Sequence, residues 1–414
     1  MREHLLITFL GRGSLGAGKG NIKEYRTANY HFPDGCCITT PYFGLALADH
    51  IQPDRLLILG TAGSMWSVLL EHHVEDGAHD DLRLELLDAE SKAAVTADHV
   101  AQVTPILSQT MGREISARLI PDARDMDEQL AILQTMAEQV KAQARITLDV
   151  THGFRHFGML GFLSGFMLQR LMNDLVVEGL WYGALDMTWK QGDGKPVTPV
   201  LRLDGLHAVQ DWISALERFD VSGEYGVFAD LLQRDGLAQD KAQCLRQAAF
   251  HEITLNIHDA AQRLRTVLPV LDTPLRGASE LFRERLRDRL EWARLNRPSD
   301  QQLYLARRAL IRGDYQRCAI LTFEARITWA CEDSGKDPLN RRDREAVHDL
   351  EMSLSRQARR DRNQRVCPLD DLRQIRNAVA HGTPPDHRRL QQILKNPDRL
   401  HEFLEESLAS LQRA

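Results

Sequence analysis

Residues 144–171 read ARITLDVTHGFRHFGMLGFLSGFMLQRL, and this stretch decides the fold. Ala144–Val150 is a short run rich in apolar and β-branched residues, of strand length. It runs directly into Thr151-His152-Gly153 and then into an apolar helical pattern. A strand, a tight polar turn and a helix make the start of a parallel-sheet unit, and the turn then sits in the crevice beyond the carboxyl end of the strand, where α/β folds bind ligands. Thr151 is placed to cap the helix, and Gly153 lets backbone approach a ligand closely. Free amides and the helix dipole favour an anion, and His152 and Arg155 add donors suited to phosphate. Gly158, Gly161 and Gly165 give the helix a small-residue stripe for close packing.

The same alternation extends on both sides. Leu5–Leu10, Leu56–Leu59, Ile115–Ile120, Ile146–Val150 and Val176–Tyr182 are strand-like runs, with helical patterns at Tyr42–Ile51, Met65–His72 and Met126–Lys141 between them. Alternation of this kind implies a mostly parallel, doubly wound α/β sheet under helices. Tyr25–Thr40, with Asp34-Gly35 at its middle, reads as a β-hairpin, and Asp193-Gly194 within Lys190–Pro199 as a second one added at the sheet edge. From Leu206 the strand signals stop. His207–Arg218, Ser279–Leu295, Gln301–Arg312, Tyr315–Cys331, Leu369–His381 and Pro397–Leu411 carry helical spacing. No repeat of fixed period is present. The expected organisation is an α/β domain over 1–205, a helical linker or insertion over 206–300 and an all-α domain over 301–414, with a flexible joint near Phe219–Tyr225.

Bulk properties limit the partners. The chain has 414 residues, enough for two or three domains, with 43% hydrophobic and 27% charged residues. Its longest apolar run, around Gly158–Leu168, is too short to cross a bilayer, and the N-terminus reads as a first strand rather than a targeting segment, so a cytoplasmic protein with no membrane partner is expected. The six cysteines include no CxxC pair, and reduced thiols are expected. Net charge is −6, which argues against non-specific coating of nucleic acid. Leu281–Arg376 nevertheless holds 21 Arg and one Lys against 16 acidic residues. That local excess suits transient handling of a polyanion, although solvated Arg-rich helix faces with i,i+4 partners give the same count.

Other turns carry chemistry as well. Gly11-Arg12-Gly13-Ser14-Leu15-Gly16 fits GxGxxG, and Gly13, Gly18 and Lys19 fit GxxxxGK. Both patterns need a following helix, whereas residues 18–32 have no apolar helical stripe and read as a hairpin. Gly20 also stands where a nucleotide triphosphatase needs a hydroxyl for magnesium. A loop with backbone amides, Arg12, Ser14 and Lys19 is still able to wrap phosphates, or to be a plain surface loop. Gly60-Thr61-Ala62-Gly63-Ser64-Met65-Trp66 follows another strand and offers Thr61 and Ser64 as hydroxyl donors, and Tyr182-Gly183-Ala184 ends a third. Three polar turns on one sheet edge point to a ligand site. Glu71–Asp81 holds His and acidic residues without an ordered metal-ligand spacing and reads as an acidic surface loop, so no metal or cofactor is expected.

Asp149–Gly153 matches the DxTHG motif of CRISPR-associated Rossmann-fold (CARF) proteins, and the GTAGSMW and YGA segments resemble that family's other ligand loops. The resemblance covers roughly the first 205 residues. It implies a homodimer that binds a cyclic oligoadenylate, with cyclic tetra-adenylate the expected form, as an allosteric activator across its two-fold axis. Gly11, Arg12, Gly13, Ser14, Thr61, Ser64, Asp149, Thr151, His152, Gly153 and Arg155 would line that site.

Near the C-terminus, DDLRQIRNAVAHGTPP is a helix that stops at His381-Gly382 before Pro384-Pro385. Asn377 and His381 are i,i+4 neighbours, so the amide is placed to orient the imidazole. Metal-free RNA cleavage needs a base for the 2′-hydroxyl, an acid for the leaving 5′-oxygen and a cation for the phosphorane charge. Arg376 and His381 supply two such groups per chain, and a dimer doubles them. On its own the pattern is also what an Arg-rich helix ending in a capping His shows. The segment resembles the R-x4-6-H motif of HEPN ribonucleases, including the polar residue after the Arg, and CARF followed by HEPN is the layout of type III CRISPR accessory ribonucleases. The resemblance implies an all-α HEPN-type domain and a cyclic-oligoadenylate-activated endonuclease of single-stranded RNA that leaves 2′,3′-cyclic phosphates, with Arg376, Asn377 and His381 catalytic. Two alternatives stay open: a non-catalytic nucleotide-responsive regulator, and a ring nuclease in which His152 and Arg155 degrade the activator.

Overall fold

The computed structural model describes residues 2–15, 23–24, 26–74, 77–192, 194–361 and 368–412, with backbone alone at 14–15, 23–24, 72–73, 358–361, 368 and 412. The chain divides into two compact units, Met1–His207 and Ala208–Ala414.

The first unit is built on strands β1 (His4–Leu10), β2 (Ser14–Leu15), β3 (Lys23–Glu24), β4 (Ala28–His31), β5 (Cys37–Thr40), β6 (Arg55–Gly60), β7 (Glu114–Leu119), β8 (Arg145–Asp149), β9 (Val176–Gly183), β10 (Trp189–Lys190) and β11 (Pro196–Arg202). Its helices are α1 (Phe43–Ile51), α2 (Ser67–His73), α3 (Asp80–Ser91), α4 (Ala97–Met111), α5 (Met126–Gln139) and α6 (Arg155–Leu171). The main sheet runs β5-β4-β11-β9-β8-β1-β6-β7, and β7, β6, β1, β8 and β9 are mutually parallel.

All seven residues of β1 are buried. A strand with helices on both faces has no solvent side, so its sequence is a continuous apolar run rather than an alternation. Successive side chains still go to opposite faces. Leu6 and Leu10 join Leu56, Ile58 and Ile115 in one core layer, while Leu5, Ile7 and Phe9 join Leu57, Leu59, Ile146 and Leu148 in the other. The small-residue stripe of α6 packs there: a Cβ on Gly165 would stand 2.9 Å from Leu148, and one on Gly161 3.0 Å from Val150.

The expectation about the sheet edge changes. The β10–β11 hairpin forms, with Lys190 opposite Pro196, but β11 is not an edge strand. It lies antiparallel to β9 and is covered on its other side by β4. The edge is the β4–β5 hairpin, turned at Asp34-Gly35, where Gly35 has φ +91° and Asp34 Oδ1 accepts the Cys36 N–H at 3.1 Å. After β1 the short strands β2 and β3 pair antiparallel, Ser14 opposite Glu24, as the hairpin reading expects. The expected loop over Glu71–Asp81 is shorter than the sequence suggested, since α2 reaches His73 and α3 starts at Asp80. Glu75 and Asp76 lie outside the described residues.

The division between units falls inside α7 (Asp204–Ser222). The second unit continues with α8 (Phe228–Arg234), α9 (Gln239–Ile253), α10 (Ile257–Leu271), α11 (Ser279–Leu290), α12 (Pro298–Ile311), α13 (Tyr315–Asp333), α14 (Arg341–Asp361), α15 (Pro368–His381), α16 (Arg388–Leu394) and α17 (Pro397–Gln412). One core runs through it, joining Trp212, Phe228, Leu264, Leu290, Ala306, Ile327, Ile375 and Leu404. The apolar faces of 206–300, expected as a linker or insertion, are buried in the same core as those of 301–414. Phe219 and Tyr225, at the two ends of the expected flexible joint, are both buried in that core. Among the described residues, no helix is long and apolar enough to cross a membrane.

Candidate functional site

From β1 the chain proceeds to β6 and β7 on one side and returns to lay β8 on the other. The reversal lies between β1 and β8, and crevices at such reversals are where open α/β sheets hold ligands. A cavity of about 410 Å³ opens there, lined by the ends of β1 (Leu10–Gly13), the turn after β6 (Thr61, Ser64) and the turn after β8 (Thr151–Phe154). Phe157, Arg26 and Leu185 complete the lining among the described residues.

The wall is held by hydrogen bonds from distant parts of the chain. Asp149 is fully buried, its Oδ2 accepting from Thr8 Oγ1 at 2.6 Å and its Oδ1 from the Thr151 N–H at 2.9 Å. Thr8 Oγ1 also stands 2.9 Å from the Tyr42 hydroxyl. Burial pushes the Asp149 carboxyl up to about 6, against the pull of the hydrogen bonds from Thr151 and Thr8. Asp149 is thus a support beneath the turn and does not line the cavity.

His152 lines the cavity, and its Nε2 accepts the Phe43 N–H at 3.1 Å. An acceptor nitrogen carries no proton, so the ring is neutral, and burial pulls it down to about 3. Thr151 does not cap α6, whose N-cap is Phe154 without a side-chain bond. Its Oγ1 accepts the Gly183 N–H at 2.8 Å and joins the β8 turn to the end of β9. Gly153 has φ +97°, and a Cβ there would stand 2.8 Å from Phe157. Only glycine takes that backbone comfortably.

The β6 turn is closed in the same manner. Ser64 Oγ donates to the Leu10 carbonyl at 2.7 Å and accepts the Thr61 N–H at 2.8 Å, and Trp66 Nε1 donates to the Thr61 carbonyl at 3.0 Å. These hydroxyls, expected as ligand donors, first serve the wall itself. Arg12 is, with Arg26, a cation of the rim. Its Nη2 donates to Asp122 Oδ1 at 2.8 Å and its guanidinium lies 4.7 Å from the Phe154 ring centre. Burial works against ionisation of Asp122, but hydrogen bonds from Arg124 and Arg12 hold its carboxyl below the usual range.

The structure therefore gathers Gly11, Arg12, Gly13, Thr61, Ser64, Thr151, His152 and Gly153 at one cavity. Arg155, the first residue of α6, is exposed and absent from the lining. The Ser14 side chain and Lys19 lie outside what is described. Arg26, Phe154, Phe157 and Leu185 were not singled out from the sequence; the two Phe residues directly after the turn were the one visible signal.

In the second unit, α15 ends at His381 and Gly382 follows with φ +70°, as a helix-stopping glycine does. His381 is exposed. Asn377 does not orient it: Asn377 Oδ1 accepts from Arg376 Nη1 at 2.9 Å. Arg376 Nη2 donates to Glu324 Oε1 at 2.9 Å, and its guanidinium lies 5.2 Å from the Phe323 ring centre. Arg344 Nη2 donates to the other oxygen of Glu324 at 2.6 Å. Among the described residues, no group of three or more His, Cys, Asp or Glu is set to hold a metal ion.

Residues 5–180 match the family model described as the CARF domain of the CRISPR system endoribonuclease Csx1. The chain is also similar to a CRISPR-associated protein of Methanocaldococcus jannaschii, 22% identical over 286 residues, covering 62% of this chain and 43% of that protein. The chain thus spans less than half the length of this curated relative. Strand order, the Asp-x-Thr-His-Gly turn at its reversal and the match over the same residues agree, and together they support a CARF-containing accessory protein of CRISPR systems.

Proposed function

We propose that the chain is a cytoplasmic endonuclease of single-stranded RNA in type III CRISPR defence, acting as a homodimer and switched on by a cyclic oligoadenylate, cyclic tetra-adenylate in the first instance, bound in the N-terminal cavity. The observation that carries the activity is the end of α15, where an exposed His381 stands five positions beyond an Arg376 whose guanidinium is held in place by Glu324 and Asn377. The chemistry is transesterification. A base removes the 2′-hydroxyl proton, the 2′-oxygen attacks phosphorus, and the P–O5′ bond breaks as an acid protonates the 5′-oxygen, leaving a 2′,3′-cyclic phosphate and a 5′-hydroxyl. Arg376 supplies the positive charge for the phosphorane oxygens. One imidazole does not take and give a proton at the same moment, so two chains are needed to furnish both.

A cavity at the strand reversal with a rim arginine and a neutral, donor-capable histidine suits a phosphodiester ring with nucleobases. The ring-nuclease alternative has less support: His152 Nε2 is occupied by the Phe43 N–H and Arg155 is outside the lining. Exposed Met126 and Leu130 on α5, with Met159 and Leu163 on α6, offer an apolar face for a second copy.

The test is cleavage of single-stranded RNA by the full chain in EDTA, with and without cyclic tetra-adenylate, alongside His381→Ala. Cleavage that needs the activator, survives EDTA and disappears in the variant is expected. RNA left intact under every condition would favour the non-catalytic regulator, and an unimpaired variant would remove His381 from the site.

A further inference from the structure

A second cavity, of about 510 Å³, lies within the C-terminal unit, walled by α12, α13, α15, the first turns of α10 and α14 and the segments leading into them. Arg376 is in its wall and so is Arg344, and the two guanidinia share the single carboxylate of Glu324. Two fixed positive charges against one negative leave the cluster with room for one further anion. Both arginine side chains are about a quarter to a third exposed, within reach of a ligand. A phosphodiester is the anion that a pair of planar guanidinium forks fits best.

The rest of the wall is of another character. Ile257, Leu321 and Leu339 give it an apolar flank, and Leu339 is 61% exposed at its side. Gln302 also lines the cavity, and its Oε1 is buried without a hydrogen-bond partner in the structure. A buried acceptor of this kind calls for a donor. Every RNA base carries at least one N–H on its pairing edge, and an unpaired base offers both that edge and an apolar face. The volume is of the size that holds a small organic ligand.

We propose that this cavity is a subsite for one unpaired nucleotide of RNA, its phosphate on Arg344 and Arg376 and its base between the apolar flank and Gln302. The inference rests on the reading of α15 as the RNA-handling helix, and it extends that site into the 206–300 region, which contributes Ile257. It makes single-strandedness a requirement of the pocket, since a paired base has no free edge to present.

The experiment measures binding rather than cleavage, so the two readings fail separately. Full-length His381→Ala protein is titrated with fluorescent hexauridylate and with its abasic analogue, and anisotropy is followed. Adding Leu339→Trp, which narrows the cavity from an exposed position, or Gln302→Leu, is expected to weaken hexauridylate binding about tenfold and to leave the abasic oligomer unaffected. Unchanged hexauridylate affinity in both variants overturns the subsite. An equal loss for the abasic oligomer overturns it too, because the contact is then to the backbone alone.

Discussion

Glu324 holds Arg376 across 52 positions of sequence, its Oε1 2.9 Å from Arg376 Nη2, while its other oxygen takes Arg344. The guanidinium proposed to meet phosphate is therefore aimed by α13 as well as by Asn377 of its own helix. Glu324→Gln keeps the shape and removes the charge from both bonds. Hydrogen bonds to charged groups contribute about 1.5–3 kcal/mol, and these are partly solvated, so a loss of about 1–2 kcal/mol in stability is expected. RNA cleavage should fall about 10- to 100-fold in kcat with little change in KM. Unaltered kcat would mean that Arg376 keeps its aim without Glu324.

His381 is exposed, so its removal costs the fold little, within about 0.5 kcal/mol for a surface site. Loss of proton transfer at the reacting oxygens is worth about 10²–10⁴ in rate. His381→Ala is accordingly expected to melt like the parent protein and to cleave at least 100-fold more slowly, which thermal unfolding and single-turnover kinetics together would establish.

At Gly153, a φ of +97° and the 2.8 Å that would separate an added methyl from Phe157 act together. Gly153→Ala should destabilise by about 2 kcal/mol, from backbone strain plus displacement of the ring. Because Phe157 also lines the cavity, calorimetric affinity for cyclic tetra-adenylate should drop as well. Retained affinity at a lowered melting temperature would separate the ring from the ligand.

Two buried groups of the cavity wall give the first unit opposite responses to pH. Asp149, pushed up to about 6, holds its proton more tightly folded than unfolded; its contribution is complete below about 3.8 and is lost as pH rises through about 6. His152, pulled down to about 3, contributes fully above 6.5 and loses that contribution as pH falls toward about 3. Between about pH 4 and 6 they offset each other. Asp149→Asn leaves the histidine slope alone, so its melting temperature should fall more steeply from pH 7 to 5 than that of the parent. His152→Gln, whose amide oxygen is able to accept the Phe43 N–H, leaves the Asp149 slope alone, so its melting temperature should rise from pH 7 to 5. Parallel profiles for all three proteins would show that neither group titrates differently on unfolding.

Met159 is 74% exposed and Leu163 49% exposed, one turn apart on α6. If this face meets its copy, Leu163→Glu places a carboxylate in an apolar contact, and light scattering should shift from dimer to monomer at micromolar concentration. Activator-dependent cleavage should vanish with it. A variant that stays dimeric would move the interface elsewhere.

The backbone framework was legible because its signals are local: an apolar run, a Thr-His-Gly turn, an Asp-Gly hairpin. The partners of the polar side chains were not. Thr151 looks like a helix cap from its neighbours, yet its hydroxyl meets Gly183, 32 positions away, and the order of strands alone brings that amide near. Asn377 has the right spacing for His381, but the adjacent guanidinium is the stronger donor and takes its oxygen. Arg26 joins the cavity through a hairpin whose course is set by the sheet edge. The helices over 206–300 serve a shared core, and a shared core specifies burial rather than particular residues.

Ser64, bridging the Leu10 carbonyl and the Thr61 amide, and Thr151, bridging to Gly183, are satisfied by the protein's own backbone. The order a ligand would otherwise have to impose on these loops is created when the chain folds. The activator proposed above would, on entering such a receptacle, give up its own freedom but find little to immobilise at these two turns. Its residence time should then be long for its size, and the signal it carries should persist until the nucleotide itself is destroyed or outcompeted.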